Sequence, residues 1–482
     1  MIRNIYEVVE SSVILGEELT EWFEVELGVR QGCTLSPLLF LIFVEGLSEK
    51  LRKSNIGIRA GNIKFNHLLF ADDLAICAGS REELQQLLDL VYVYSVKWRF
   101  KFNISKSNVM VVGKRNQIHS RQYYLGLDTL SVVKSYKYLG LDFEDNLRWS
   151  LTRQRLLSKA KGRLAMLSKA LSEGLSFQAA LNVWWSMVVP VLNYGSEIWG
   201  ATKFIEAERV QLEAGRRLLG VSRTMASAVV RGDLGWWTMR AHRDMKMLMY
   251  WARLVRMDDT RLVKQVYRYR KKQNAKRVND WCSLVQKTLV SLDIGHVWQS
   301  ELVGDEVGWK KLLKASIQAR EEKEWKARVE IQPKLRLYRT LKFNLHQEEY
   351  LHVIKDREER RLITALRGGT NVLAVETGRW KGEALEERTC SVCATGSIEN
   401  ELHFLLDCSA YERERRRLYQ RIRTATDFDF RQMEGETDWL AQMMLGVSCP
   451  NKNKRQSIQR ETAKFVELAM QKRTYILYSN SD

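Results

Sequence analysis

His67–Gly79 reads HLLFADDLAICAG. An apolar run enters Ala71-Asp72-Asp73 and a second, Leu74 to Cys77, leaves it. Turn formers bound both arms, Gly61-Asn62 before and Gly79-Ser80 after, so the stretch predicts strand, tight turn, strand. Two adjacent carboxylates would then stand at the exposed tip of a buried hairpin. Mg²⁺, a hard cation that takes one or two carboxylates plus substrate phosphates, suits such a pair. Asp is also a favoured turn residue, so the pair alone reads as a plain hairpin turn too.

Working outward, Gly28–Phe40 is GVRQGCTLSPLLF. Ser36-Pro37 predicts a helix start, with Ser as N-cap and Pro in the first turn. That helix would turn Leu38, Leu39, Ile42, Phe43 and Leu47 toward a core. Glu82–Trp98 predicts a second amphipathic helix, packing Leu84, Leu87, Leu88, Val91 and Tyr94. Upstream, residues 1–10 read as the end of an amphipathic helix (Ile2, Ile5, Tyr6 and Val9 on one face). Val13–Leu15 and Trp22–Leu27 read as strands across a Gly16 turn. The fold class expected is α+β, with a small antiparallel sheet backed by helices and mostly helix after it.

The 482 residues can hold several domains, and a 45% hydrophobic content with 15 Trp argues for packed cores rather than disorder. Lys and Arg number 77 against 58 Asp and Glu, a formal charge of +19 that suits a polyanionic partner. MIRNIYEVVE lacks the apolar core of a signal peptide, and no apolar run approaches the ~18 residues of a membrane span. The seven cysteines do not suggest a secreted disulfide framework. These features predict an intracellular protein of nucleus or cytoplasm, with no membrane partner.

Further along, KFNISKSNVMVVGK and YKYLGLDF follow the Asp-Asp hairpin. In order and spacing, over about 120 residues, the chain resembles the reverse transcriptases of non-LTR (LINE-type) retrotransposons. GVRQGCTLSPLLF is similar to their motif B, FADD to motif C, KFNISKSNVMVVGK to motif D and YKYLG to the primer grip. The resemblance implies a partial right-hand palm over residues 1–145, without fingers or motif A, and a helical thumb over 146–260. A basic helical connector at 261–330 and a C-terminal helical region at 331–482 would complete the chain.

By the same resemblance the activity is RNA-directed DNA polymerisation on an RNA template and DNA primer, using Mg²⁺ or Mn²⁺. Asp72 and Asp73 would hold metal, and Lys106 would donate a proton to pyrophosphate. Gln31 and Gly32 would face the template base and incoming nucleotide, and Tyr138, Leu139 and Gly140 would position the primer end. Phe70 is expected to pack inside the palm. The family's first metal-binding aspartate lies in a motif ahead of these, yet no Asp occurs before Asp72. The chain thus reads as a truncated copy or incomplete gene model, inactive alone because one hairpin cannot clamp two cations from both sides. The alternative is a non-catalytic nucleic-acid-binding remnant.

Two later stretches carry chemistry. Cys390–Cys408 is C-x₂-C-x₉-H-x₄-C; Cys390, Cys393, His403 and Cys408 have the types and spacing of a tetrahedral Zn²⁺ site. It resembles the C-terminal zinc knuckle of the same family, preceded by an ETGRW-like segment at Glu376–Trp380. Val266–Arg277 interleaves tyrosines with cations, so Tyr267, Arg268, Tyr269, Arg270, Lys271 and Lys272 are candidates to hold single-stranded or structured nucleic acid. Arg415, Arg416 and Arg417, just after the knuckle, are further candidates. A solvated helical face is the plainer reading of both. The tryptophans at 184, 185, 199, 236 and 237 read as core.

Overall fold

A computed structural model describes residues 8–25, 28–30, 32–113, 122–273, 280–393, 395–430, 436–446 and 449–479. The chain divides into two units, Met1–Arg148 and Trp149–Asp482.

In the first unit the Asp-Asp stretch forms the hairpin its pattern predicts. β7 (His67–Phe70) and β8 (Asp73–Ile76) pair antiparallel, with Phe70 opposite Asp73 and His67 opposite Ile76. Ahead of it, β1 (Glu10–Ser11) pairs with β4 (Phe23–Glu24) around an inner hairpin of β2 (Ile14–Leu15) and β3 (Glu18–Leu19). Of the strand expected at Trp22–Leu27, Phe23–Glu24 is paired and residues 26 and 27 lie outside the described residues, while the strand from Ile14 closes on Glu18 and Leu19. Of the N-terminal helix expected over 1–10, residues 1–7 lie outside the described residues, and Glu10 is extended. β5 (Ile58–Ala60) and β6 (Ile63–Phe65) form a hairpin, as do β12 (Ser135–Tyr138) and β13 (Leu141–Glu144). β11 (Asp128–Val132) joins β10 (Tyr123–Leu125) antiparallel and β9 (Asn108–Val109) parallel. Among the described residues the ladders remain these small separate sheets; they do not merge into one.

Helices α1 (Ser36–Lys53) and α2 (Arg81–Lys97) back the strands. Ser36 is not the N-cap: its hydroxyl donates to the carbonyl of Arg30 at 2.7 Å, and Leu35 takes the cap position. Ser80 caps α2, accepting from the Glu83 amide at 3.2 Å. Leu47 and Leu51 of α1 meet Leu87, Leu88, Val91 and Tyr94 of α2 and Val109, Tyr123, Leu125 and Leu130 beneath. The 3.6-residue period puts Val44, Leu47 and Leu51 on one face of α1, so Leu38 and Ile42, expected in the core, are exposed instead.

The second unit is helical. Its longer helices include α3 (Ser150–Ser172), α4 (Ile205–Leu219), α5 (Ser227–Leu234), α6 (Met239–Arg256), α7 (Leu262–Gln273), α8 (Trp281–Ser291) and α9 (Glu306–Glu330). They are followed by α10 (Arg357–Arg367), α11 (Ala374–Lys381), α12 (Glu412–Thr426) and α13 (Lys452–Ser479). Trp184 and Trp236 stack at 5.2 Å in the interior, and Trp199 is buried, so these rings are core as their pattern predicts. One apolar cluster gathers Trp251, Tyr267, Leu289, Trp298, Trp309 and Ile317, and so binds α6 through α9 into one body. Among the described residues no helix is long and apolar enough to cross a membrane.

Candidate active site and metal centre

The hairpin tip is a two-residue turn, Ala71-Asp72, with Ala71 at a φ of 51°. Glycine takes that left-handed conformation freely; alanine pays about 1 kcal/mol for it. Asp72 stands in the turn and Asp73 opens β8, and both are exposed to solvent. Phe70, expected inside the palm, is 62% exposed, because it shares a strand face with Leu68 that no core covers. The base of the hairpin is firmly held. His67 bonds through its ring nitrogens to Ser48 Oγ of α1 at 2.8 Å and to Asn66 Oδ1 at 2.7 Å. The buried Asn66 amide donates to the carbonyls of Leu51 (2.6 Å) and Ile56 (2.8 Å). Asn66 was given no part from sequence; a lone Asn before a strand carries no signal of this anchoring.

The primer-grip hairpin turns at Leu139 (φ 47°) and Gly140 (φ 78°), the paired left-handed conformations of a type I′ turn. Leu139 is an unusual occupant there, and its side chain is exposed. Burial raises the pKa of Tyr138, and the charge of Asp73 adds to the effect, so β12 lies within electrostatic reach of the Asp-Asp tip. Two residues back on the same strand face, the Tyr136 hydroxyl donates to the Lys106 carbonyl at 3.1 Å. Lys106 itself is exposed, in a turn stapled by Asn103 Oδ1 accepting from its amide at 3.2 Å. The hairpin β12–β13 therefore brings Asp73, Tyr138 and the Lys106 turn together. Gly32, at φ 78° with open space where a Cβ would project, sits in an exposed loop ahead of α1. Gln31 lies outside the described residues.

In the second unit, Cys390, Cys393, His403 and Cys408 converge, their ligand atoms all within 4.8 Å of one another. Cys390 Sγ to Cys408 Sγ is 3.9 Å, and Cys393 Sγ to His403 Nε2 is 3.5 Å. Tetrahedral zinc, with Zn–S about 2.3 Å and Zn–N about 2.0 Å, needs edges of roughly 3.8 and 3.5 Å. The thiols are not equivalent. Burial raises Cys393, but hydrogen bonding with Thr395, Cys390 and His403 outweighs it and brings the thiol down to about 6. Burial pushes Cys408 up to about 12, with the neighbouring Cys390 opposing its ionisation. Ionising all three thiols this close together requires a cation among them, and the donor set is compatible with zinc. Among the described residues this is the one cluster of three or more His, Cys, Asp or Glu ligands; no third such residue gathers with Asp72 and Asp73.

The knuckle is tied down by a residue the sequence did not reveal. Buried Glu399 accepts two bonds from the Arg473 guanidinium of α13, both at 2.8 Å, and one from the Ala374 amide of α11 at 2.7 Å. Arg415, proposed from sequence as a phosphate contact, is instead buried. It donates to the carbonyls of Leu405 and Cys408, each at 2.9 Å, and so braces the knuckle. Arg416 and Arg417 are exposed, and Arg416 is paired with Glu412.

The Tyr-and-cation helix α7 is corrected in the same way. Tyr267 is buried in the apolar cluster, donates to Glu301 at 2.6 Å and accepts from Trp251 Nε1 at 3.0 Å, so its ring offers no face to a base. Lys271 is bonded to Glu301 (2.7 Å), Arg268 to Asp259 (2.7 Å) and Arg270 to Asp280 (2.8 Å). Tyr269 is half-buried, and Lys272 is exposed. A face that was basic in sequence is largely neutralised in space.

Residues 1–143 match the model of the family described as reverse transcriptase (RNA-dependent DNA polymerase). The chain is 33% identical over 150 residues to the Pol polyprotein of the type-2 retrotransposable element R2DM of Drosophila melanogaster, covering 30% of this chain and 14% of that protein. It is 23% identical over 207 residues to the RNA-directed DNA polymerase of the mobile element jockey of Drosophila funebris, 41% of this chain and 22% of that one. Against the Pol polyprotein of the type-1 retrotransposable element R2 of Nasonia vitripennis the identity is 41% over 70 residues, 14% of this chain and 7% of that one. The chain thus spans under a quarter of the length of these relatives. Over these residues the chain is similar to reverse transcriptases of the kind that non-LTR retrotransposons carry.

Proposed function

We propose that this chain carries part of an RNA-directed DNA polymerase: it holds an RNA template and DNA primer but does not extend the primer by itself. The observation that carries the reading is the Ala71-Asp72-Asp73 turn, two exposed carboxylates on an anchored hairpin within the stretch that matches reverse transcriptases. In this family's chemistry two metal ions activate the primer hydroxyl and stabilise the leaving pyrophosphate. Asp72 is the first ligand and Asp73 the supporting one; Lys106 donates the proton to pyrophosphate. Gln31 and Gly32 meet the templating pair, and Tyr138, Leu139 and Gly140 seat the primer end. Among the described residues no third ligand gathers with Asp72 and Asp73.

The knuckle at 390–408 takes one Zn²⁺ through Cys390, Cys393, His403 and Cys408, and presents Arg416 and Arg417 on the helix that follows. Retained binding without catalysis is the second reading; it is supported by the four ligand atoms gathered at the knuckle, where among the described residues only two carboxylates stand at the hairpin. Anisotropy titrations of the full chain with a labelled primer–template test the binding. If several phosphates are contacted, log K falls with log[salt] at about −0.7 to −0.9 per contact. A salt-independent or undetectable affinity would contradict both readings.

A further inference from the structure

Beside the knuckle, four cations crowd two carboxylates. Buried Glu376 of α11 pairs with Arg379 (2.6 Å) and Arg336 (3.3 Å), and Arg336 reaches on to Glu401 at 2.6 Å. Lys334 donates to the Thr224 carbonyl at 2.9 Å, and Arg216 to the Met225 carbonyl at 2.9 and 3.2 Å. Lys334 and Arg379 are close enough to repel, and burial with the charges of Arg379 and Arg216 lowers the Lys334 pKa. Arg336 and Arg379 share the Glu376 carboxylate, and Arg336 also reaches Glu401, whereas the hydrogen bonds of Lys334 and Arg216 go to carbonyls, which cancel no charge. A protein gains nothing by assembling like charges that repel, unless an anion completes the set. Arg379 also keeps a buried Nε without a hydrogen-bond partner.

The next residue on α11 is Trp380, whose indole is 62% exposed although the other large rings of this unit mostly pack inward. It stands in the last turn of a helix closed by Gly382 at φ 79° and braced by Arg388, which donates to the Val375 carbonyl at 3.0 Å. An exposed indole one residue along the helix from Arg379 offers the two elements of a single-strand site, a stacking face and a phosphate seat.

The geometry points to a nucleotide-binding ledge in which Trp380 stacks on an unpaired base while Lys334, Arg336 and Arg379 take the adjoining phosphate of single-stranded nucleic acid. The ledge rests on the binding function proposed above and gives it a specific seat away from the Asp-Asp hairpin. Stacking is indifferent to base identity, so the ledge would hold a strand without reading its sequence.

The test is anisotropy of the full zinc-loaded chain with a labelled single-stranded oligonucleotide, as RNA and as DNA, and with matched strands whose bases are removed. Trp380→Ala should weaken binding of base-bearing strands by on the order of tenfold and leave the abasic strands unaffected, while Trp380→Phe retains most of the affinity. Lys334→Gln should lessen the salt slope by about 0.7, the share of one phosphate. The tighter of the RNA and DNA strands names the ligand's source. Equal binding of wild type and Trp380→Ala to base-bearing strands overturns the ledge and leaves the proposed function standing. Failure of the wild type to bind any strand overturns both.

Discussion

At the scale of single residues, the chemistry of this chain depends on where burial leaves charge. His242 is an instance outside the candidate site. Its Nε2 is enclosed without a partner between Trp185 (5.2 Å) and Trp237 (5.8 Å), although the ring keeps an edge toward solvent. Burial, helped by the charge of Arg243, lowers its pKa to about 4. The folded state thus refuses a proton that the unfolded chain accepts near 6.5, so stability is complete above that pH and declines as pH falls toward 4. The loss should be on the order of 2 kcal/mol. Urea titrations at pH 7 and pH 4 on wild type and His242→Phe check it: the variant should lose less stability on acidification. An identical loss in both would assign the acid sensitivity elsewhere.

Elements of this fold are joined by buried ion pairs as much as by apolar faces. Arg367 of α10 is fully buried against Asp233 (3.2 Å) and Glu348 (3.0 Å), and Asp233 also accepts from Tyr338 (2.9 Å) and Tyr350 (2.7 Å). Removing the cation leaves buried Asp233 with only the two tyrosine hydroxyls and buried Glu348 with only Lys342. Arg367→Ala should therefore cost about 3–5 kcal/mol in chemical denaturation, and Arg367→Lys less. The knuckle is a second joint. Cys408→Ser should lower bound zinc below one per chain and speed amide exchange chiefly between α11 and α12, because structural zinc contributes folding energy directly. Full zinc retention in that variant would contradict the ligand set. The hairpin at Asp72 and the helix expected over Glu82–Trp98 are legible in sequence because turn chemistry and apolar period act locally. The Cys₃His quartet is legible because its spacing is chemical. Tyr267 and Arg415 are not, because their partners, Glu301 and the Cys408 carbonyl, lie on other elements, and Phe70 is not, because no core covers its strand face.

Taken whole, the molecule is two units with different standing toward chemistry. The first carries the reverse transcriptase match and, among the described residues, a carboxylate pair joined by no third ligand; the second carries a Cys₃His cluster compatible with zinc and the cations around α11. The charge of +19 suits the nucleic-acid partner proposed at the scale of composition but does not pick out residues, since much of the charge in α7 is spent on internal pairs. Primer extension by the purified chain on poly(rA)/oligo(dT), with Mg²⁺ or Mn²⁺, shows whether the Asp pair can work alone. Extension should be negligible, indistinguishable from that of Asp72→Ala, in a protein that still binds the primer–template. Robust extension that disappears in Asp72→Ala would contradict it and place a facing carboxylate beside the hairpin.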